Sequence, residues 1–126
     1  MYSEEKARMI SPLELAYIGD TVFDLYVRLM MLEKGFGVHD MHKNAVSYVN
    51  AASQSCLATK IEPMLDEKEL AIFKRGKNAH AHHRTPKSAS VAEYTDATGF
   101  ESLVGYLYLT GQIKRLMQIL SMIKED

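Results

Sequence analysis

Apolar residues recur along this chain at helical spacing, and no segment shows the sustained two-residue alternation between hairpin turns that marks a strand. Ser11-Pro12-Leu13-Glu14 opens the first clear helix, with Ser at the N-cap, Pro at the first helical position and Glu placed to complete a capping box. The apolar positions that follow carry it to about residue 32, ahead of Gly35 and Gly37, both suited to a helix exit. Asp40 reads as the cap of a second helix to about residue 49. A third, from about 52 to 60, stops ahead of Pro63, because the residue before proline resists the helical conformation. Asp66-Glu67-Lys68-Glu69 repeats the cap-plus-acid pattern and opens a helix to about Gly76, after which residues 77–87, with Pro86, read as an irregular loop. Helix returns at about Val91 and runs to Gly111, and a last amphipathic helix spans about 112 to 124. No repeat, low-complexity tract or linker interrupts this order. The pattern predicts an all-α helical bundle.

A chain of 126 residues has room for one domain, 1–126, around one sizeable core. Its 47% apolar and 25% charged residues fit a soluble globular protein and argue against disorder. Cys56, the one cysteine, cannot form an internal bridge, so nothing points to an oxidising compartment. No run of about 18 apolar residues is present to span a bilayer, and Met1-Tyr-Ser-Glu-Glu-Lys lacks the apolar core of a signal peptide. A cytoplasmic location is the default expectation. The net charge of −1 is unpromising for a nucleic-acid binder, but its distribution is informative. Between Leu70 and Ala92 there is no Asp or Glu, and the stretch carries Lys74, Arg75, Lys77, Arg84 and Lys87 with His80, His82 and His83. The remainder is acidic, so one face suits a polyanion.

Two acids stand among apolar neighbours. Asp20 lies in mid-helix, where Asp has poor propensity, with Ala16, Tyr17, Phe23 and Asp24 three and four residues away. Glu101 lies inside the apolar run Thr98-Gly-Phe-Glu-Ser-Leu-Val-Gly-Tyr-Leu-Tyr. Gly19 adjoins the first acid, and Gly105 is one turn from the second on the same face. Glycine inside a helix costs up to about 1 kcal/mol relative to alanine, and close approach of another backbone is a common reason to keep it. The two helices are therefore expected to cross at these glycines and to bring the carboxylates together. Like charges held close repel unless a divalent cation neutralises them, and magnesium suits carboxylate oxygens and phosphate chemistry. By spacing alone the ordinary alternatives, a solvated helix edge or a pairing with Lys or Arg, are the commoner.

At these residues a resemblance appears. Leu15-Ala-Tyr-Ile-Gly-Asp-Thr-Val-Phe-Asp-Leu-Tyr-Val-Arg, ending at Arg28, resembles the signature helix of ribonuclease III domains. Phe100-Glu-Ser-Leu-Val-Gly-Tyr-Leu-Tyr-Leu, ending at Leu109, resembles their second metal-binding helix. Lys74-Arg-Gly-Lys-Asn-Ala and Thr85-Pro-Lys-Ser are similar to the Mini-III subfamily, the short bacterial enzymes without an appended RNA-binding domain. The likeness covers nearly the whole chain from Pro12 onward.

The resemblance implies an all-helical homodimeric endonuclease with a ribonuclease III endonuclease-domain-like fold, cleaving double-stranded RNA and leaving 5′-phosphate and 3′-hydroxyl ends. Asp20 and Glu101 match the family's catalytic and metal-holding acids, for Mg2+ with Mn2+ as a substitute. Further signature glutamates of the larger enzymes are replaced here by Leu13 and Ala16, and an aspartate of the second motif by Thr98, a reduced set that the Mini-III pattern shares. The candidates for RNA contact are Lys74, Arg75, Lys77, Asn78, Arg84 and Lys87. Kinship also implies maturation of large-subunit ribosomal RNA precursor ends, with a ribosomal protein as an open partner. Where the Mini-III loop usually contains glycine, this chain has Ala81-His82-His83-Arg84.

Tyr94, Phe100, Tyr106 and Tyr108 stand at helical spacing and read as core or dimer interface rather than a base-stacking surface. Met30, Met31 and Met64 are candidate surface residues for that interface. Two rivals remain: a catalytically inactive RNA-binding relative, against which retention of both acids speaks, and a small metal phosphohydrolase using His80, His82 and His83. An adjacent histidine pair on a loop rarely converges on zinc.

Overall fold

The computed structural model describes residues 1–79 and 90–123. Every regular element among them is helical: α1 (Glu4–Arg8), α2 (Pro12–Glu33), α3 (Val38–Ala45), α4 (Ala51–Ile61), a 3-10 turn (Glu62–Met64), α5 (Glu67–Asn78), α6 (Val91–Leu109) and α7 (Ile113–Leu120). Local chemistry sets most of the starts. Full capping boxes open α5, between Asp66 and Glu69, and α6, between Ser90 and Glu93. Ser11 caps α2 by accepting from the Glu14 backbone N–H at 3.2 Å. The Glu14 carboxylate, however, takes the Ser11 hydroxyl at 2.8 Å, so that box is not closed in the expected way.

Helix α6 is the axis of the molecule, packed by α2, α5 and α4. Enclosure on all sides explains why it is apolar nearly all round rather than amphipathic. Phe100 and Phe23 meet edge to face with ring centroids 5.2 Å apart. Ser102, fully buried, is satisfied by donating to the Pro12 carbonyl at 2.9 Å, which ties α6 to the start of α2. Helix α7 is anchored through Arg115, whose guanidinium donates to both oxygens of buried Glu69 at 2.8 Å and to the Met64 carbonyl at 2.7 Å.

The structure corrects several expectations. Helix α1 was not anticipated, because five residues with a single buried side chain, Ala7, carry no readable period. Tertiary contacts hold it: the Tyr2 N–H donates to the Leu109 carbonyl at 2.8 Å, and Tyr106 donates its hydroxyl to Glu4 at 3.3 Å. Helix α3 starts after Gly37, leaving Asp40 in its first turn, and it ends at Ala45 rather than near residue 49. Gly76 does not end α5, which continues through Lys77 to Asn78, so the basic segment begins as helix. Helix α7 stops at Leu120. Met30 and Met31 are buried in the core, and Met64 packs partly buried against it, so none is a free surface methionine. Phe100 and Tyr106 are core as expected, but Tyr108 is 42% exposed. Instead α2 turns Leu25, Leu29 and Leu32 outward, 57%, 49% and 60% exposed. Among the described residues no helix is long and apolar enough to cross a membrane.

Candidate active site

The α2–α6 crossing is built from glycine. A Cβ on Gly19 would strike the carbonyl oxygen of Glu101, and one on Gly105 would strike the carbonyl oxygen of Leu15. Backbone thus lies on backbone, an approach that no side chain permits. Helices α5 and α6 repeat the device: a Cβ on Gly76 would lie 2.8 Å from Gly99 Cα, and one on Gly99 would lie 2.8 Å from the Phe73 carbonyl oxygen. Gly76, read from sequence as a helix exit, is a packing glycine.

At the first crossing the carboxyl groups of Asp20 and Glu101 come within hydrogen-bonding reach of each other. Asp20 is exposed and Glu101 is recessed. Burial first, and the Asp20 carboxylate second, push the Glu101 carboxyl up to about 9, while the Gln54 carboxamide pulls the other way. At neutral pH Glu101 therefore keeps its proton in the metal-free molecule, the expected response of two acids forced together in a poorly solvated place. An all-oxygen pair of this kind fits a hard divalent cation, which would replace that proton. The residues that the resemblance set in place of further acids are partly buried Leu13, buried Ala16 and buried Thr98, whose hydroxyl donates to the Tyr94 carbonyl at 3.0 Å. No group of three His, Cys, Asp or Glu able to hold a metal occurs among the described residues.

Sequence reasoning missed two side chains of α4 here. Gln54 donates through Nε2 to Glu101 Oε2 at 3.5 Å. Ser55 donates to Asp96 at 2.9 Å, and Asp96 also takes Lys77 at 3.3 Å. For Gln54 a signal existed, since it shares a face with Leu57, Ala58 and Ile61, all buried, at helical spacing.

The candidate RNA contacts divide. Lys74 and Asn78 are exposed on α5. Lys77 is partly buried, paired with partly buried Asp96, and its Nζ lies 5.5 Å from the centroid of the Phe73 ring. Arg75 is otherwise engaged, donating to the carbonyls of Arg8 at 3.0 Å and Ile10 at 3.4 Å, where it terminates α1. Arg84, Lys87 and the three histidines at 80, 82 and 83 lie outside the described residues.

The ribonuclease III domain model matches residues 13–112, a span holding both acids, both crossing glycines and Gln54. The chain is 46% identical over 112 residues to the Mini-ribonuclease 3 of Symbiobacterium thermophilum, covering 88% of this chain and 85% of that protein. It is 36% identical over 124 residues to the Mini-ribonuclease 3 of Clostridium tetani, covering 97% and 82%. The crystal structure of protein FN1578 from Fusobacterium nucleatum superimposes with a TM-score of 0.81 at 34% identity, over 90% of each chain. Matched in sequence across most of its length and in the path of its helices, the chain belongs to the ribonuclease III family, among its Mini-ribonuclease 3 members.

Proposed function

We propose that this ribonuclease III family endoribonuclease hydrolyses double-stranded RNA with Mg2+ held by Asp20 and Glu101, leaving 5′-phosphate and 3′-hydroxyl ends. The observation that supports it is the meeting of two carboxyl groups, distant in the chain, at a crossing where burial first and the neighbouring Asp20 carboxylate second keep Glu101 protonated. Holding two acids in that state costs free energy, and a divalent cation removes the cost. When bound, magnesium supplies a coordinated water of lowered pKa and neutralises charge developing on a phosphate. Asp20 and Glu101 hold the ion directly or through water, and no side-chain nucleophile takes part. Lys74 and Asn78, with Lys77 drawn off Asp96, contact phosphates and 2′-hydroxyls across the shallow minor groove of the duplex. Arg84 and Lys87 are proposed as RNA contacts from the sequence alone.

The working unit in this reading is a homodimer. Leu25, Leu29 and Leu32 form a stripe on α2 at spacing i, i+4, i+7, and an exposed apolar stripe of this kind marks a protein interface. Two-fold symmetry then sets identical sites against antiparallel strands. Leu29→Asp is expected to give a folded monomer by sedimentation equilibrium; a wild-type dimer that persists in this variant places the interface elsewhere. The likeness to Mini-III enzymes extends the proposal to cytoplasmic maturation of large-subunit ribosomal RNA precursor ends, with a ribosomal protein partner left open.

The direct test is cleavage of a perfect RNA duplex and of its separated strands. Duplex alone should be cut, only with Mg2+ or Mn2+, and the products should be substrates for a 5′-phosphate-dependent exonuclease. Cutting that survives EDTA, or ends carrying a cyclic phosphate, would remove the metal mechanism.

A further inference from the structure

Gln54 occupies a position that packing alone does not explain. It is 4% exposed on the core face of α4, beside Leu57, Ala58 and Ile61. A carboxamide brings two donors and a two-lone-pair acceptor into this place, and burying them costs free energy unless they are paired. The one side-chain hydrogen bond of Gln54 among the described residues is that from Nε2 to Glu101 Oε2, and its Oε1 accepts none there. At 3.5 Å that bond is long and leaves most of the hydrogen-bonding capacity of the buried amide unmet. A leucine would fill similar volume without the penalty.

The chemistry of the neighbours supplies a reason. A lysine here would compete with a cation for Glu101, and a third acid would add to the repulsion already present between Glu101 and Asp20. An amide does neither, and it donates to a carboxylate while accepting from a water. We infer that Gln54 is a positioning residue of the cation site: Nε2 orients the Glu101 carboxylate and Oε1 accepts a hydrogen bond from water at the cation. The inference rests on the proposed Asp20–Glu101 site. It gives this reduced set of acids a neutral third member, contributed by a different helix.

The test uses RNA-free protein titrated with Mn2+ by electron paramagnetic resonance, with thermal unfolding in EDTA and duplex cleavage alongside. Gln54→Leu is expected to weaken Mn2+ binding by about tenfold, the usual scale for a group that orients a metal ligand, with an unfolding temperature in EDTA at or above wild type. A purely structural amide would do the reverse. Mn2+ affinity within about twofold of wild type overturns the inference. Glu101→Gln is measured in parallel. If it loses Mn2+ while Gln54→Leu keeps it, the metal site stands and the role of Gln54 falls; if neither loses Mn2+, both fall together. Should Gln54→Leu fail to fold, Gln54→Glu decides. Added ligand charge should tighten Mn2+ binding about threefold or more and lower stability in EDTA, and unchanged affinity overturns the inference.

Discussion

Gly19→Ala and Gly105→Ala are each expected to destabilise the protein by more than about 3 kcal/mol, at the upper end for overpacking. Overpacking is usually relieved by a rotamer change, but here the added methyl meets the carbonyl oxygen of Glu101 or Leu15, and backbone within a helix does not rotate away. The helices must separate instead. The helix-propensity gain of about 1 kcal/mol for Gly→Ala offsets only part of this. In thermal unfolding the loss should appear as a fall of roughly 10 °C or more. Gly37→Ala, with nothing near its Cβ, should shift stability by no more than about 1 kcal/mol. A Gly19→Ala variant that unfolds at the wild-type temperature would show that the crossing is looser than described. Folded fractions of either variant should also cleave poorly, because separating α2 from α6 separates the acids they carry.

The second large effect concerns Glu101→Gln, for which cleavage and stability should move in opposite directions. Removing the acid is expected to reduce duplex cleavage on the order of a thousandfold, the scale of losing an aimed electrostatic stabiliser. Near-normal cleavage would take Glu101 out of the site, and Asp20→Asn puts Asp20 to the same question. In EDTA, however, the variant should be more stable than wild type near neutral pH. The Glu101 carboxyl is raised from 4.5 to about 9, so the folded state holds its proton more tightly than the unfolded chain does. Stability is therefore full below about 4.5 and is lost as pH rises toward 9. One such proton gives a slope of at most about 1.4 kcal/mol per pH unit. Glutamine does not titrate, so this decline should vanish in Glu101→Gln, and saturating Mg2+ should flatten it in wild type. A flat profile for the metal-free wild type would contradict a recessed, protonated Glu101. Unfolding followed by circular dichroism across about pH 5 to about pH 8.5 reads this directly. Such opposition is the usual mark of a site that sacrifices stability for chemistry.

Much of this fold is written locally. Ser11-Pro12 and Asp66 with Glu69 announce two helix starts through hydrogen bonds within a single turn, the structure places those starts there, and it adds a capping box of Ser90 with Glu93 at the expected start of α6. Helix α1 and the true bounds of α3 were not legible, because contacts from α5 and α6, or a plain Gly37 start, define them. Arg75 shows the same limit. In the sequence it is one more cation in a basic run, whereas in the fold its donors are spent on two carbonyls of the segment after α1.

The sequence by itself marked most of the helices, Gly19 and Gly105 as a pair suited to a close crossing, and the two acids among apolar neighbours, since each of these follows from short-range periodicity and propensity. Only the tertiary structure decided that Gln54 stands against Glu101, that Gly76 packs rather than terminates, and which apolar side chains of α2 face outward. The physical reason is that helical spacing fixes a face and nothing more. What that face meets, and therefore whether a carboxyl group keeps its proton, depends on the order in which α2, α4 and α5 surround α6.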